Sequence, residues 1–239
     1  MRAAASLVAV LVAVLLTGCG SPPSSHTPVV LPRPSPITWA DPSASPSASS
    51  TFTRRGALPE PISIGWRITV YYTAVEKYHH GRPVRVTGCP KLACTHGTDD
   101  LGTYPSDFVS AVKTEGAGRT TTGRYLNWSY DIGYWLDSAP RDTDGAPLEP
   151  FVSAAADPDV LPHGSTFTIA DCGRQDDGSA LVPAVCAALR KAKWRIADEF
   201  TPGLGGPKHI DAYIGPETSA TFTQSDWYLT VKDARLTLP

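Results

Sequence analysis

The chain has 239 residues, with 21 Lys and Arg against 23 Asp and Glu, a formal net charge of −2 and 18% charged residues. That charged share is below the roughly 25% common in soluble domains, and there is no basic excess, so a surface that tracks nucleic-acid phosphates is excluded. The length admits one or two domains, but the first quarter does not read as a folded unit, which leaves a single domain of ordinary size.

In chain order, Arg2 precedes an apolar run from Ala3 to Leu16, which ends in Leu16-Thr17-Gly18-Cys19. The run is shorter than the roughly 20 residues that span a bilayer as a helix. The pattern resembles a bacterial lipoprotein signal over residues 1–18, with Cys19 as the acylated first residue of the mature chain. It implies a protein outside the cytoplasmic membrane, held there by lipid on Cys19 and facing the cell wall. Residues 19–61 are dominated by Ser, Pro, Ala and Thr, with Trp39 and Phe52 the only aromatics. Such a segment cannot bury enough surface to offset the entropy of ordering it, and is expected to be a linker.

Folded character is expected over residues 62–239. The stretch from Trp66 to Ala74 alternates as a strand, with Ile68, Val70 and Tyr72 on one face. A loop through Tyr78-His79-His80-Gly81 follows, then a short segment from Pro83 to Thr87. Phe108, Val109 and Val112 recur at helical spacing and stop at Gly116. The Gly-, Thr- and aromatic-rich stretch from Gly118 to Pro140 reads as strands and turns. Asp157-Pro158 and Pro162-His163-Gly164 lead stiffly into the alternating run Ser165 to Ile169. Ser179 to Lys193 is the best helix, Ala-rich, with Pro183 near its start and basic residues in its last turn. Trp194 to Phe200, Ile210 to Gly215 and Trp227 to Leu238 read as strands. Many short strands with one or two helices predict a mainly β chain, a small barrel carrying helical and loop insertions.

Apart from Cys19, the cysteines are Cys89, Cys94, Cys172 and Cys186, an even number in an exported chain. Four cysteines allow three pairings, and proximity favours Cys89 with Cys94 and Cys172 with Cys186. The alternative is a zinc site, for which these spacings are poor. His79, His80 and His96 likewise show no ligand spacing, so neither metal nor cofactor is expected.

Three aspartates in order carry a resemblance. Ala156-Asp157-Pro158 with Leu161-Pro162-His163-Gly164-Ser165-Thr166, Ala197-Asp198 before the Gly203 to Gly206 stretch, and Ile210-Asp211-Ala212-Tyr213 together resemble the three-aspartate (3D) domain. Thr121-Thr122-Gly123 is similar to the Thr-and-Gly turn that precedes the first Asp in that family. Its members are six-stranded double-psi β-barrels, found in membrane-bound lytic transglycosylase A and in small Gram-positive cell-wall proteins. The resemblance implies peptidoglycan glycan strands as partner and a lytic transglycosylase-like activity. In that chemistry one carboxylic acid protonates the glycosidic oxygen and then, as carboxylate, takes the proton of the muramyl C6 hydroxyl while that oxygen closes on C1. Such an acid needs a raised pKa. The last Asp of the motif carries this role in the family and maps onto Asp211. Asp198 maps onto the residue that sets charge in the cleft. Asp157, locked by Pro158 at a strand entrance, is expected to order the loop rather than react, and with Thr122, Gly123 and His209 it belongs to the expected substrate-binding set.

The family's Asp-Thr-Gly-Gly segment is rewritten here as "DEFTPGLGGPKHID". That change favours a second reading, a silent barrel that binds glycan or a wall-enzyme partner. The family's larger enzymes also build their groove with a second domain, for which no separate segment stands out. Glu76 and Glu115 are candidates for a second carboxylate in a third, hydrolytic reading, or are solvated. Tyr71, Trp128, Tyr130, Tyr134 and Trp135 suit sugar stacking or ordinary packing.

Overall fold

The computed structural model describes residues 61–238; the expected signal segment, Cys19 and all but residue 61 of the expected linker lie outside them. In chain order the elements are β1 (Ile62–Val75), a 3-10 turn at Glu76–Tyr78, β2 (Pro83–Gly88), β3 (Asp99–Pro105), α1 (Ser106–Glu115), β4 (Ala117–Arg119), β5 (Tyr125–Ser129) and β6 (Gly133–Asp137). There follow β7 (Ser153–Ala155), β8 (Thr166–Asp171), β9 (Arg174–Gln175), α2 (Pro183–Lys191), β10 (Trp194–Asp198), β11 (His209–Pro216) and β12 (Thr230–Thr237).

Six of these strands close on themselves in the order β1, β11, β7, β10, β8, β12 and back to β1. The pairs β1–β11 and β7–β10 are parallel and the other four are antiparallel. The mainly β, six-stranded barrel expected from the sequence is therefore present, with helices and loops inserted between its strands. Closure leaves the ring without a free edge. Every second residue faces the interior, which is filled by Ile68, Val70, Ala154, Phe167, Ile169, Ile196, Ile210, Ala212, Val231 and Leu236. Helix α2 starts on Pro183, whose missing N–H is no loss at that position, and buries Val185 and Leu189 against the same core. The Cys172–Cys186 disulfide ties α2 to the end of β8, and Cys89–Cys94 closes the loop after β2, as proximity predicted.

The insertion between β1 and β7 does more than decorate. β1 runs on past the ring, and its Ala74 and Val75 pair with Gly118 and Arg119 of β4, which extends into β5 and β6. Against this extension α1 packs Phe108 and Val112, forming a second core with Tyr72, Ala74, Val86, Leu101, Leu126 and Phe222. Tyr72 thus shares a strand face with Ile68 and Val70 but sits in a different core, because β1 crosses from one to the other. Helix α1 ends at Gly116, whose φ of 85° is the left-handed geometry that glycine adopts freely. Between Thr69, the last residue paired with β12, and Ala74, the first paired with β4, the Tyr72 N–H donates to the buried Glu115 carboxylate at 3.3 Å.

Candidate functional site

The alternation that turns Ile68, Ile210, Ala154 and Ile196 inward turns their neighbours outward. Thr69 pairs with Asp211, Asp211 pairs with Ala155, and Ala155 pairs on its other side with Asp198. Directly paired residues project to the same side of a sheet, so both aspartates stand on the outer wall at one level. The three-residue strand β7 lies between them. Two strand spacings put their Cα atoms roughly 10 Å apart. Ala155 contributes only a methyl group to that gap. Asp198 reaches this row through an irregularity: Ile196 pairs with Ala154, and the register skips Ala197 before Asp198 meets Ala155. Without this bulge Asp198 would face the other way.

The two acids have different surroundings. Asp198 is held by donors: the Thr143 hydroxyl donates to its Oδ1 at 2.6 Å, the Glu199 N–H to the same oxygen at 3.0 Å, and the Tyr71 hydroxyl to Oδ2 at 3.3 Å. Burial raises its pKa to about 6 against the pull of these donors, and the neighbouring Asp142 charge adds to the rise. Asp211 has a buried Oδ1 with no hydrogen-bond partner. Burial pushes its pKa up to about 7, the Thr69 hydroxyl opposes that, and the Asp198 charge reinforces it. Both residues keep partial exposure, whereas Tyr71, Thr73 and Tyr213 on the same outer face are buried. Tyr71 and Tyr213 pack against each other with centroids 5.2 Å apart, under Leu148.

His209 lies on the same stripe, two residues before Asp211. Its Nε2 is 3.0 Å from the Thr69 hydroxyl, and its ring lies over Phe200 at 4.5 Å. Burial pushes its pKa down, against the Gly205 carbonyl contact. Asp157 works on the loop between the two acids: its Oδ2 accepts the Gly206 N–H at 2.7 Å, and a side chain at Gly205 would collide with its carboxylate. Gly206 adopts φ 125°, so the rewritten "GLGG" stretch supplies the backbone freedom that this clamp requires. Asp157, Asp198, His209 and Asp211 are thus brought into one neighbourhood.

Thr122 and Gly123 are not. They form the β4–β5 turn, where the Gly123 N–H donates to the Thr120 carbonyl at 3.0 Å and the Thr120 and Thr122 hydroxyls are 2.9 Å apart. Arg119 beside this turn pairs with Val75, six residues along β1 from the Thr69–Asp211 level and so roughly 20 Å away. Two surface concavities of about 190 and 340 Å³ flank the turn, lined by Val75, Lys77 and Arg119 and by Glu76, Tyr104 and Arg124; neither is lined by Asp198 or Asp211. Glu76 accepts the Thr121 N–H at 2.7 Å and so fixes the turn. Glu115 is buried rather than solvated; burial and then the Asp211 charge raise its pKa to about 8. His79 is engaged on both sides, by Glu217 at 2.8 Å and Asp107 at 3.3 Å. Of the five aromatics, Tyr71 touches the site, Trp135 is buried, and Tyr130 stands 61% exposed.

Sequence reasoning missed Thr143, which lies in a segment of turn formers, "SAPRDTDGAPLE", that offers no periodicity. It also missed Thr69, read only as one residue of a strand.

No family model matches the chain, and no curated protein does. Among solved structures, similarity extends to MltA from E. coli with bound chitohexaose, at 14% identity over 74% of this chain and 72% of that one, with a TM-score of 0.48. It extends also to the membrane-bound lytic murein transglycosylase from Agrobacterium tumefaciens, at 13% identity over 73% and 74% of the two chains, with a TM-score of 0.45. A third is the lytic transglycosylase LtgG of Burkholderia pseudomallei, at 13% identity over 74% and 72%, with a TM-score of 0.42.

Proposed function

We propose that the protein acts on peptidoglycan glycan strands in the cell envelope as a lytic transglycosylase-like enzyme, with Asp211 as its acid and base and Asp198 as the fixed negative charge beside it. The observation that carries this reading is the row Asp211–Ala155–Asp198, which sets two half-buried aspartates on one face with a single methyl group between them. Their surroundings separate their roles. Asp211, with an oxygen that no donor reaches, keeps its proton into the neutral range, while Asp198, with three donors, gives its proton up first. Protonated Asp211 would give its proton to the glycosidic oxygen as the C1–O bond breaks, and the Asp198 charge would stabilise the cationic sugar. The Asp211 carboxylate would then take the C6 hydroxyl proton as O6 bonds to C1, so that no water is consumed. His209 and the loop pinned by Asp157 would line the sugar's path. The lipid on Cys19 would tether the enzyme beside its substrate, and the two disulfides suit an oxidising compartment outside the cytoplasm.

Incubation with purified peptidoglycan should release anhydromuramyl fragments detectable by mass spectrometry, and Asp211→Asn should abolish them. Reducing ends instead would indicate a hydrolase. Intact glycan would support the silent binding barrel, a reading favoured by the concavities around Thr121 that stand away from the acids.

A further inference from the structure

Residues Ser138 to Glu149 form a strap that doubles back on itself, with Arg141 bridged to Pro147 and the Leu148 N–H donating to the Pro140 carbonyl at 3.0 Å. Its base is anchored on β5, the strand whose Leu126 lies in the second core: on the other face, buried Asn127 accepts the Arg141 N–H and donates to the Ala139 carbonyl. Its tip turns at Asp142, whose carbonyl accepts the Gly145 N–H and whose Oδ1 accepts the Ala146 N–H. The tip is pinned to the barrel at two points. Asp144 pairs with His163 at 3.2 Å, and Thr143 meets Asp198.

The second contact is more than a surface touch. The Thr143 Oγ1 accepts the Glu199 N–H at 3.1 Å while donating to Asp198 Oδ1 at 2.6 Å, and the same N–H also reaches Asp198 Oδ1 at 3.0 Å. Because that hydroxyl already accepts from a backbone N–H, its own proton is directed at the carboxylate. With Tyr71 on the other oxygen, Asp198 has one rotational setting in which every donor is used.

Resting on the catalytic reading above, we propose that Thr143 is a positioning residue, supplied by the strap of the second core, that fixes the Asp198 carboxylate in the orientation it presents beside Asp211. Besides Thr143, four groups act on Asp198 from the elements around it. Asp142 on the strap and Asp211 beyond β7 bring negative charge, whereas Tyr71 on β1 and the Glu199 N–H on its own loop donate. Among the described residues, Thr143 is the only donor to Asp198 that comes from the inserted region. The hydroxyl therefore couples the placement of the second core to the charge state of the barrel's acid.

The test replaces Thr143 by Val, which keeps its shape, and by Ser, which keeps its hydroxyl; Thr143 is exposed, so neither change removes a core contact. In the full chain, the carboxyl carbon of Asp198, assigned with Asp198→Asn, is titrated by NMR. Thr143→Val should move its midpoint up by about one unit, the loss of a single charge-assisted hydrogen bond, while Thr143→Ser leaves it within a few tenths. With peptidoglycan as substrate, Thr143→Val should lower kcat about tenfold, leave KM unchanged and shift the acid limb of the pH profile upward, and Ser should restore all three. A midpoint that Val leaves in place, or a shift that Ser fails to reverse, overturns the proposal. If the parent protein releases no anhydro product but Val still moves the midpoint, the catalytic reading fails and the positioning role stands.

Discussion

Asp198 and Asp211 are told apart by their hydrogen bonds more than by their burial. With Asp198 ionised above about pH 6 and Asp211 protonated below about pH 7, the form that the proposed mechanism requires is most populated between those values. The rate of anhydromuramyl release should therefore trace a narrow bell between them, read from initial rates across a buffer series, and a plateau through pH 9 would contradict the assignment. The same groups set how stability depends on pH. Asp198, Asp211 and Glu115 hold protons in the folded chain at pH values where the unfolded chain has lost them. The folded state then binds more protons between the unfolded values near pH 4 and the highest folded value, about 8, so stability is greatest at the acid end of that window and declines as pH rises through it. Glu115→Gln keeps an acceptor for the Tyr72 N–H and removes the buried charge. It should raise unfolding stability by a few kcal/mol at about pH 9 and converge on the parent near pH 4, measured by urea titration.

At the scale of elements, β7 is the decisive one and the least conspicuous. Ser153, Ala154 and Ala155 have little intrinsic preference for a strand, and they form one because β10 and β11 bind on either side. Periodicity could not find them, nor the bulge at Ala197, since both are properties of pairing. What periodicity did find was the alternating run of β1 from Trp66, the apolar stripe of α1 ending at Gly116, α2 behind Pro183, and β8, β10, β11 and β12, because each carries enough apolar residues to show its period. Of the candidate site, the order of three aspartates was legible. Thr143 was not, because its contact spans 55 residues and begins in a loop. Enlarging Ala155 to Leu places a wedge between the acids in a buried position. It should cost about 1–3 kcal/mol of stability, with the fold retained by circular dichroism, and reduce product release below one tenth of the parent. The Cys172–Cys186 bond closes a loop of 14 residues, and replacing both cysteines by Ala should lower stability by about 3 kcal/mol in guanidinium titration.

At the scale of the whole described region, the two cores share a backbone. β1 contributes Trp66, Ile68 and Val70 to the barrel and Tyr72 and Ala74 to the second core. Truncating a buried residue in either core should therefore weaken a single transition. Ile68→Ala and Phe108→Ala are each expected to lower stability by about 2–5 kcal/mol, with near- and far-ultraviolet melting curves that superimpose. Separate transitions for the two variants would show that the cores fold independently. The shared strand also carries the site, since Thr69 and Tyr71 stand between the very residues that fill the barrel. Adding or deleting one residue between Ile68 and Tyr72 would turn over whichever end of the strand gave way, exposing aliphatic side chains and burying hydroxyls in the same movement. Length changes in this strand are thus barred by solubility before chemistry is ever tried, which leaves point substitution at every second residue as the route by which such a surface can be retuned.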